Sequence, residues 1–158
     1  MIETVTLEEC TWQGAKEAFE TMIMLPIEKT ENFDDRLDRS KTLVGSITFT
    51  DALEGAVILK CTVDSAEKIA KNMLMMEPDE TVDACELHDA FGEVVNLVIG
   101  GFKSRIADSV GNIEISVPMV MEGKEMIPAT GAGGQKVEVF AEGQDCQLKL
   151  IVIYKIHA

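Results

Sequence analysis

The chain has 158 residues, of which 46% are hydrophobic and 27% charged, and a formal net charge of −14. That length and apolar content suit one folded domain with a real core, and they exclude a disordered chain. The charge argues against nucleic acid, whose phosphates it would repel, and against anionic membrane surfaces, while leaving a cationic patch on a protein partner open.

In chain order, Leu7–Leu25 has a helical period, with Trp12, Ala15, Phe19, Met22 and Ile23 recurring at three- and four-residue steps, and Pro26 closes it. The polar stretch Glu28–Lys41 has no apolar period and reads as a loop. Thr42–Phe49 and Gly55–Cys61 are β-rich and predict a hairpin with a longer turn over residues 50–54. Asp64-Ser65 predicts the N-cap of a short helix reaching about Met76, where Glu77-Pro78 stops it. Asp83 with Glu86 three residues on resembles a capping box. It predicts a helix from about Ala84 to Ala107, roughly 36 Å long at about 1.5 Å per residue. Asn112–Glu122, Lys136–Ala141 and Gln147–His157 are strand-like, and the glycine-rich Thr130–Gln135 predicts a mobile connection. Cys146–Ile156 is apolar enough for a central strand or for pairing with another chain.

Each half thus runs helix, connection, hairpin. Ala18-Phe19 echoes Ala90-Phe91, and Phe49-Thr50-Asp51 echoes Phe140-Ala141-Glu142. Such a repeat predicts an α+β domain, with two long helices packed on an antiparallel β-sheet and residues 1–158 forming a single domain. Cys10, Cys61, Cys85 and Cys146 are scattered without Cys-x-x-Cys spacing, no basic segment followed by an apolar one opens the sequence, and no apolar run approaches about 18 residues. These features predict reduced, mostly core thiols in a cytoplasmic protein.

Winding residues 86–106 at about 100° per residue separates two faces. Leu87, Phe91, Val94, Val95, Val98, Ile99, Phe102 and Ile106 form the side expected to be buried. Opposite lie Glu86, Asp89, Glu93, Asn96, Gly100 and Ser104, with Lys103 nearby. The ordinary reading of such a face is a solvated surface. Two details point further. Asn is a mediocre helix former, and Gly92, Gly100 and Gly101 each cost about 1 kcal/mol relative to Ala. Glycine beside a polar pair lets another backbone approach closely, so the combination suggests a docking surface centred on Glu93 and Asn96. These two emerge from the same side of the helix, with Asp89 one turn earlier.

Other candidates are weaker. His88 falls toward the apolar side and reads more readily as a satisfied, half-buried histidine than as a base. Glu86 and His88 are two apart, whereas a di-metal helix motif needs three, so no metal site is expected. Gly131-Ala132-Gly133-Gly134 precedes a strand and lacks Lys-Ser/Thr, so it is not a phosphate cradle. The nine methionines, Met73, Met75 and Met76 among them, read as core filling before they read as a plastic surface.

Asp89-x3-Glu93-x2-Asn96, followed after 21 residues by Pro118, resembles the D/S-x3-E-x2-N-x(about 22)-P signature of the CheC/CheX/FliY phosphatases, which act on the phosphorylated chemotaxis response regulator CheY. CheC-type members carry such a pair on both long helices and CheX-type members on one. Here the first helix offers Glu20-x2-Ile23 or, aligning Phe19 with Phe91, Thr21 and Met24, and neither register holds an Asn. The resemblance is therefore to the CheX type. It implies an aspartyl-phosphate phosphatase in which Asn96 holds a water in line with the phosphorus and Glu93 pairs with a lysine of the response regulator. Asp89, Gly92, Gly100 and Lys103 would belong to the partner-binding surface. The resemblance also implies that the chain needs no cofactor of its own, Mg²⁺ sitting in the partner, and that it forms a homodimer through its β-sheets. A non-catalytic adaptor that only sequesters a receiver domain would use the same surface, and a carboxylate-based metal enzyme would need ligands the sequence does not offer. Pro118 predicts an edge strand or bulge near the helix.

Overall fold

The computed structural model describes residues 4–31, 39–131 and 133–155. The described elements are helix α1 (Thr4–Ala18), a five-residue π-turn (Phe19–Ile23), β1 (Glu28–Lys29), β2 (Thr42–Asp51), β3 (Glu54–Thr62), α2 (Val63–Met73), α3 (Ala84–Ile106), β4 (Ile113–Ile115), β5 (Met119–Gly123), β6 (Gln135–Gly143) and β7 (Cys146–Lys155). The seven strands form one antiparallel sheet in the order β1-β6-β7-β3-β2-β4, with β5 also on β2. A single core joins the three helices to one sheet face through Leu43, Ile47 and Phe49 of β2, Val57, Leu59 and Cys61 of β3, and Leu148, Leu150 and Val152 of β7. The α+β class with two long helices holds, and α2 is a third, shorter one.

The halves interlock. The hairpin β2–β3 follows α1 and the hairpin β6–β7 follows α3, the two meeting at β3 and β7 in the sheet centre. The short strand after α1 pairs with the second hairpin, Glu28 opposite Glu142, while those after α3 pair with the first, Ser46 opposite Met119. The Phe49/Phe140 echo does not survive. Phe49 is in the core, whereas Phe140 lies half-buried outside it, under the Lys149 ammonium 5.5 Å from its ring. The turns differ in length, the second hairpin turning on Gln144-Asp145 alone, so equal spacing in sequence lands on opposite faces.

Other boundaries move for local reasons. The first helix is α-helical only to Ala18; the π-turn adds a residue to the last turn and rotates Met22 outward, so the residue expected in the core is 60% exposed. Met24 in the left-handed region (φ 62°) ends it, and the Leu25 amide donates to the Phe19 carbonyl at 2.9 Å, before Pro26. Part of the expected 28–41 loop is the strand β1, and residues 32–38 lie outside the described residues, as do 156 and 157 of the expected last strand. β3 runs straight into α2, so Thr62 and not Asp64-Ser65 is the N-cap: its hydroxyl accepts from the Ser65 amide at 3.2 Å. At α3 Asp83 is the N-cap, its carboxylate accepting from the Glu86 amide at 2.8 Å.

β7 is central, flanked by β6 and β3; its helix-side residues are buried, and on the side away from the helices Ile151 is buried between half-buried Lys149 and Ile153. On that outer side Lys60 is buried and its ammonium donates to the Met126 carbonyl at 2.8 Å, bringing the β5–β6 connection across the sheet. Glu138 lies 2.7 Å from Lys136 and 3.6 Å from Lys149. Partial burial pushes its carboxyl up, but the Lys136 hydrogen bond and the charges of both lysines outweigh that and hold it below the usual glutamate range. A lowered folded-state value means stability that is complete above the unfolded value of about 4.3 and drains as pH falls. Urea unfolding from pH 7 down to about pH 3 should therefore show a smaller acid loss in Glu138→Gln than in the unsubstituted chain; equal slopes would remove Glu138 from the acid response.

Candidate functional site

All eight residues assigned to the apolar side of α3, from Leu87 to Ile106, are buried. The helix is thereby held along its whole length, and its opposite face cannot rotate away. On that face Asp89 and Glu93 are exposed and Asn96 is half-buried. Among the described residues, neither the Asn96 carboxamide nor the Asp89 and Glu93 carboxylates has a hydrogen-bond or ion-pair partner, whereas other surface charges are matched, such as Arg105 with Glu17 and Lys41 with Glu122.

The three residues share a shallow, open depression of about 300 Å³ with Gly92, His88, Pro118 and Val120. Gly100 and Lys103 lie further along α3 and do not line it; Gly100 is exposed and Lys103 half-buried. The predicted strand 112–122 is two strands, because the two residues of β2 between Phe49 and Ser46 face three between Ile115 and Met119. This one-residue bulge carries the proline. The ladder is patched across it: the Ser116 amide donates to the Thr48 carbonyl at 2.9 Å, and the Thr48 amide donates to the Ser116 hydroxyl at 3.0 Å. Before the bulge Ile113 points inward; after it the inward parity switches, and Pro118 and Val120 turn toward α3. A Cβ on Gly92 would stand 3.5 Å from Pro118 Cγ and 3.6 Å from Val120 Cγ2. Pro118 is thus one wall of the depression, and Gly92 is buried beneath it instead of facing open solvent.

His88, half-buried as the sequence predicts, belongs to this site as well. It lines the depression, and its Nε2 lies 3.7 Å from Glu122 Oε2. The signal was the strand: Glu122 shares the inward parity of Pro118 and Val120 once the bulge is counted.

α1 holds no equivalent. α1 and α3 cross where Gly14 and Gly101 touch, a Cβ on Gly101 falling 2.7 Å from Gly14 Cα. Equating these glycines sets Glu93 and Asn96 against Thr6 and Glu9, not against Glu20–Met24, which the π-turn displaces. Lys29 occupies that end of α1, 3.7 Å from Glu8, 4.0 Å from Glu9 and 5.8 Å from the Trp12 ring. Among the described residues no cluster of His, Cys, Asp and Glu is arranged to hold a metal.

The family model for the chemotaxis phosphatase CheX matches residues 43–141, well over half of the chain and including α3 and the Pro118 bulge. The chain belongs to the CheX family. Solved structures share the fold of this CheX-family chain over nearly its full length. The chemotaxis protein CheX of Vibrio vulnificus is 19% identical, with a TM-score of 0.80 over 98% of this chain and 100% of its own. The CheX–CheY–BeF₃–Mg²⁺ complex of Borrelia burgdorferi gives 14% identity and a TM-score of 0.73 over 98% and 99%. FliY of Thermotoga maritima gives 18% and 0.68 over 97% and 89%. No curated protein matches the chain.

Proposed function

We propose that this chain dephosphorylates a phosphorylated CheY-type response regulator, with Asn96 positioning the attacking water and Glu93 docking the partner. The observation that carries the reading is the unpartnered Glu93/Asn96 pair, presented on a rigid helix beside the Pro118 wall in a member of a chemotaxis phosphatase family. The Borrelia relative, solved with CheY, BeF₃ and Mg²⁺, supports the partner class.

The chemistry asks little of this chain. The phosphoryl group is carried on an aspartate of the partner, whose own Mg²⁺ and lysine neutralise its charge. Water attacks phosphorus, the bond from phosphorus to the aspartate oxygen breaks, and inorganic phosphate leaves with a free carboxylate behind. Asn96 can accept a hydrogen bond from that water and donate another, holding it in line. Glu93, exposed and unpaired, meets the partner's lysine and sets the register. Asp89, Gly100 and Lys103 extend the contact along α3, with Gly92 forming the floor beneath Pro118. No helix among the described residues is long and apolar enough to cross a membrane. The free Cys10, Cys61, Cys85 and Cys146 agree with a reducing, cytoplasmic setting. Homodimerisation through the sheets belongs to the same proposal: β5 pairs with β2 on one side only, and Met119 and Met121 are 60% and 48% exposed.

The deciding experiment is phosphate release from a phosphorylated receiver domain with and without the chain. Acceleration at catalytic amounts supports the proposal; tight binding with release at the receiver's own rate would make the chain a sequestering adaptor. Within that assay Glu93→Ala should raise KM by about ten-fold with a smaller effect on kcat, as expected for a lost charge-assisted contact. Unchanged KM and kcat would take Glu93 out of docking.

A further inference from the structure

His88 stands on the same strip of α3 as Gly92 and Asn96, four and eight residues on, at the opposite end of the depression from Asn96. It meets β5 there. β5 is a five-residue edge strand bonded to β2 on one side, which sets its place in the sheet but not how closely it lies on the helix. Its approach to α3 is set by its inward residues. Pro118 and Val120 rest over Gly92, which offers no side chain, while Glu122 reaches His88 at 3.7 Å and Lys41, just before β2, at 3.1 Å. His88–Glu122 is therefore the polar end of a contact whose apolar end is the Pro118 wall.

We propose that His88 is a positioning residue of the docking site: clasped to Glu122, it draws β5 onto α3 and so sets the position of the Pro118 wall that the phosphorylated partner must fit. This rests on the proposed function. Glu122 faces His88 from β5, and Lys41 faces Glu122 from the start of β2, so the strand is tied both to α3 and to its own sheet neighbour.

The test is steady-state dephosphorylation of a phosphorylated receiver domain by the full chain. His88→Ala and Glu122→Gln should each raise KM, by up to about five-fold for a partly exposed ion pair, with kcat little changed. The double variant should be no worse than the more affected single one, because both break one contact. Additive effects or a silent Glu122→Gln would each overturn the proposal, the second by showing that His88 touches the partner directly. Amide hydrogen exchange over residues 119–123, read on the free protein, separates the two failures. Faster exchange in both variants is expected, and unchanged exchange overturns the clasp. A chain that releases no phosphate at all sinks the functional reading, whatever β5 does.

Discussion

Asn96→Ala should leave the chain folded and bound to its partner, yet slow dephosphorylation by on the order of 100-fold, the scale of losing one prepositioned hydrogen-bonding group. The fold should persist because Asn96 has no partner within the protein and alanine is the better helix former, so the variant is expected to be at least as stable. Binding should persist because Glu93, Asp89 and the Pro118 wall remain. Single-turnover phosphate release at saturating amounts of the chain isolates the chemical step, and a separate titration checks affinity. A variant that turns over at the original rate would remove Asn96 from the mechanism; one that fails to bind would recast it as a docking residue.

Gly101→Val should cost about 3 kcal/mol of stability, near the upper end for overpacking, because what it meets is main chain. The new Cβ would lie 2.7 Å from Gly14 Cα and 3.0 Å from Gly14 O, and the reciprocal approach is as close, a Cβ on Gly14 standing 2.8 Å from the Phe102 amide nitrogen. No rotamer relieves such a contact, so α1 and α3 must separate, loosening the core that holds the active face. The neighbouring glycine predicts the opposite sign. A Cβ on Gly100 would meet nothing within 4 Å, so Gly100→Ala should add up to about 1 kcal/mol through helix propensity alone. Urea unfolding of both variants checks the pair. A Gly101→Val chain as stable as the original would mean that the helices do not touch there in solution.

These glycines also mark where sequence reading stops. Three of them on one helix suggested a single purpose, room for a partner, and each proves to have its own: Gly92 lies beneath Pro118, Gly101 admits α1, and Gly100 alone is open. The face of α3 was legible because a period of 3.6 over 23 residues leaves little freedom, and all eight apolar assignments are buried. The site's other wall was not. A one-residue bulge inverts the facing of everything after it, and Asn112–Glu122 reads as one strand unless the register against β2 is known. Hence His88 could be read as a satisfied, half-buried histidine, which it is, but not assigned its partner Glu122. Met22 failed similarly, because the π-turn that rotates it outward leaves no mark in the apolar spacing.

The exchange of edge strands between the halves bears on how the chain reaches this state. Closing β1 onto β6 joins residues 28 and 142, and β3 onto β7 joins 54 and 155, so much of the sheet forms between segments about a hundred positions apart. Such high contact order makes folding slow, since the entropy of long loops is lost before their contacts reward it. Neither hairpin has its full complement of neighbours until the other arrives. Either half expressed alone lacks an edge and a centre at once, so the duplicated architecture behaves as one cooperative unit. That cooperativity frees one copy of the helix from presenting a site: α1 can surrender its surface to Lys29 and Trp12 and still be indispensable to α3, which presents the candidate site.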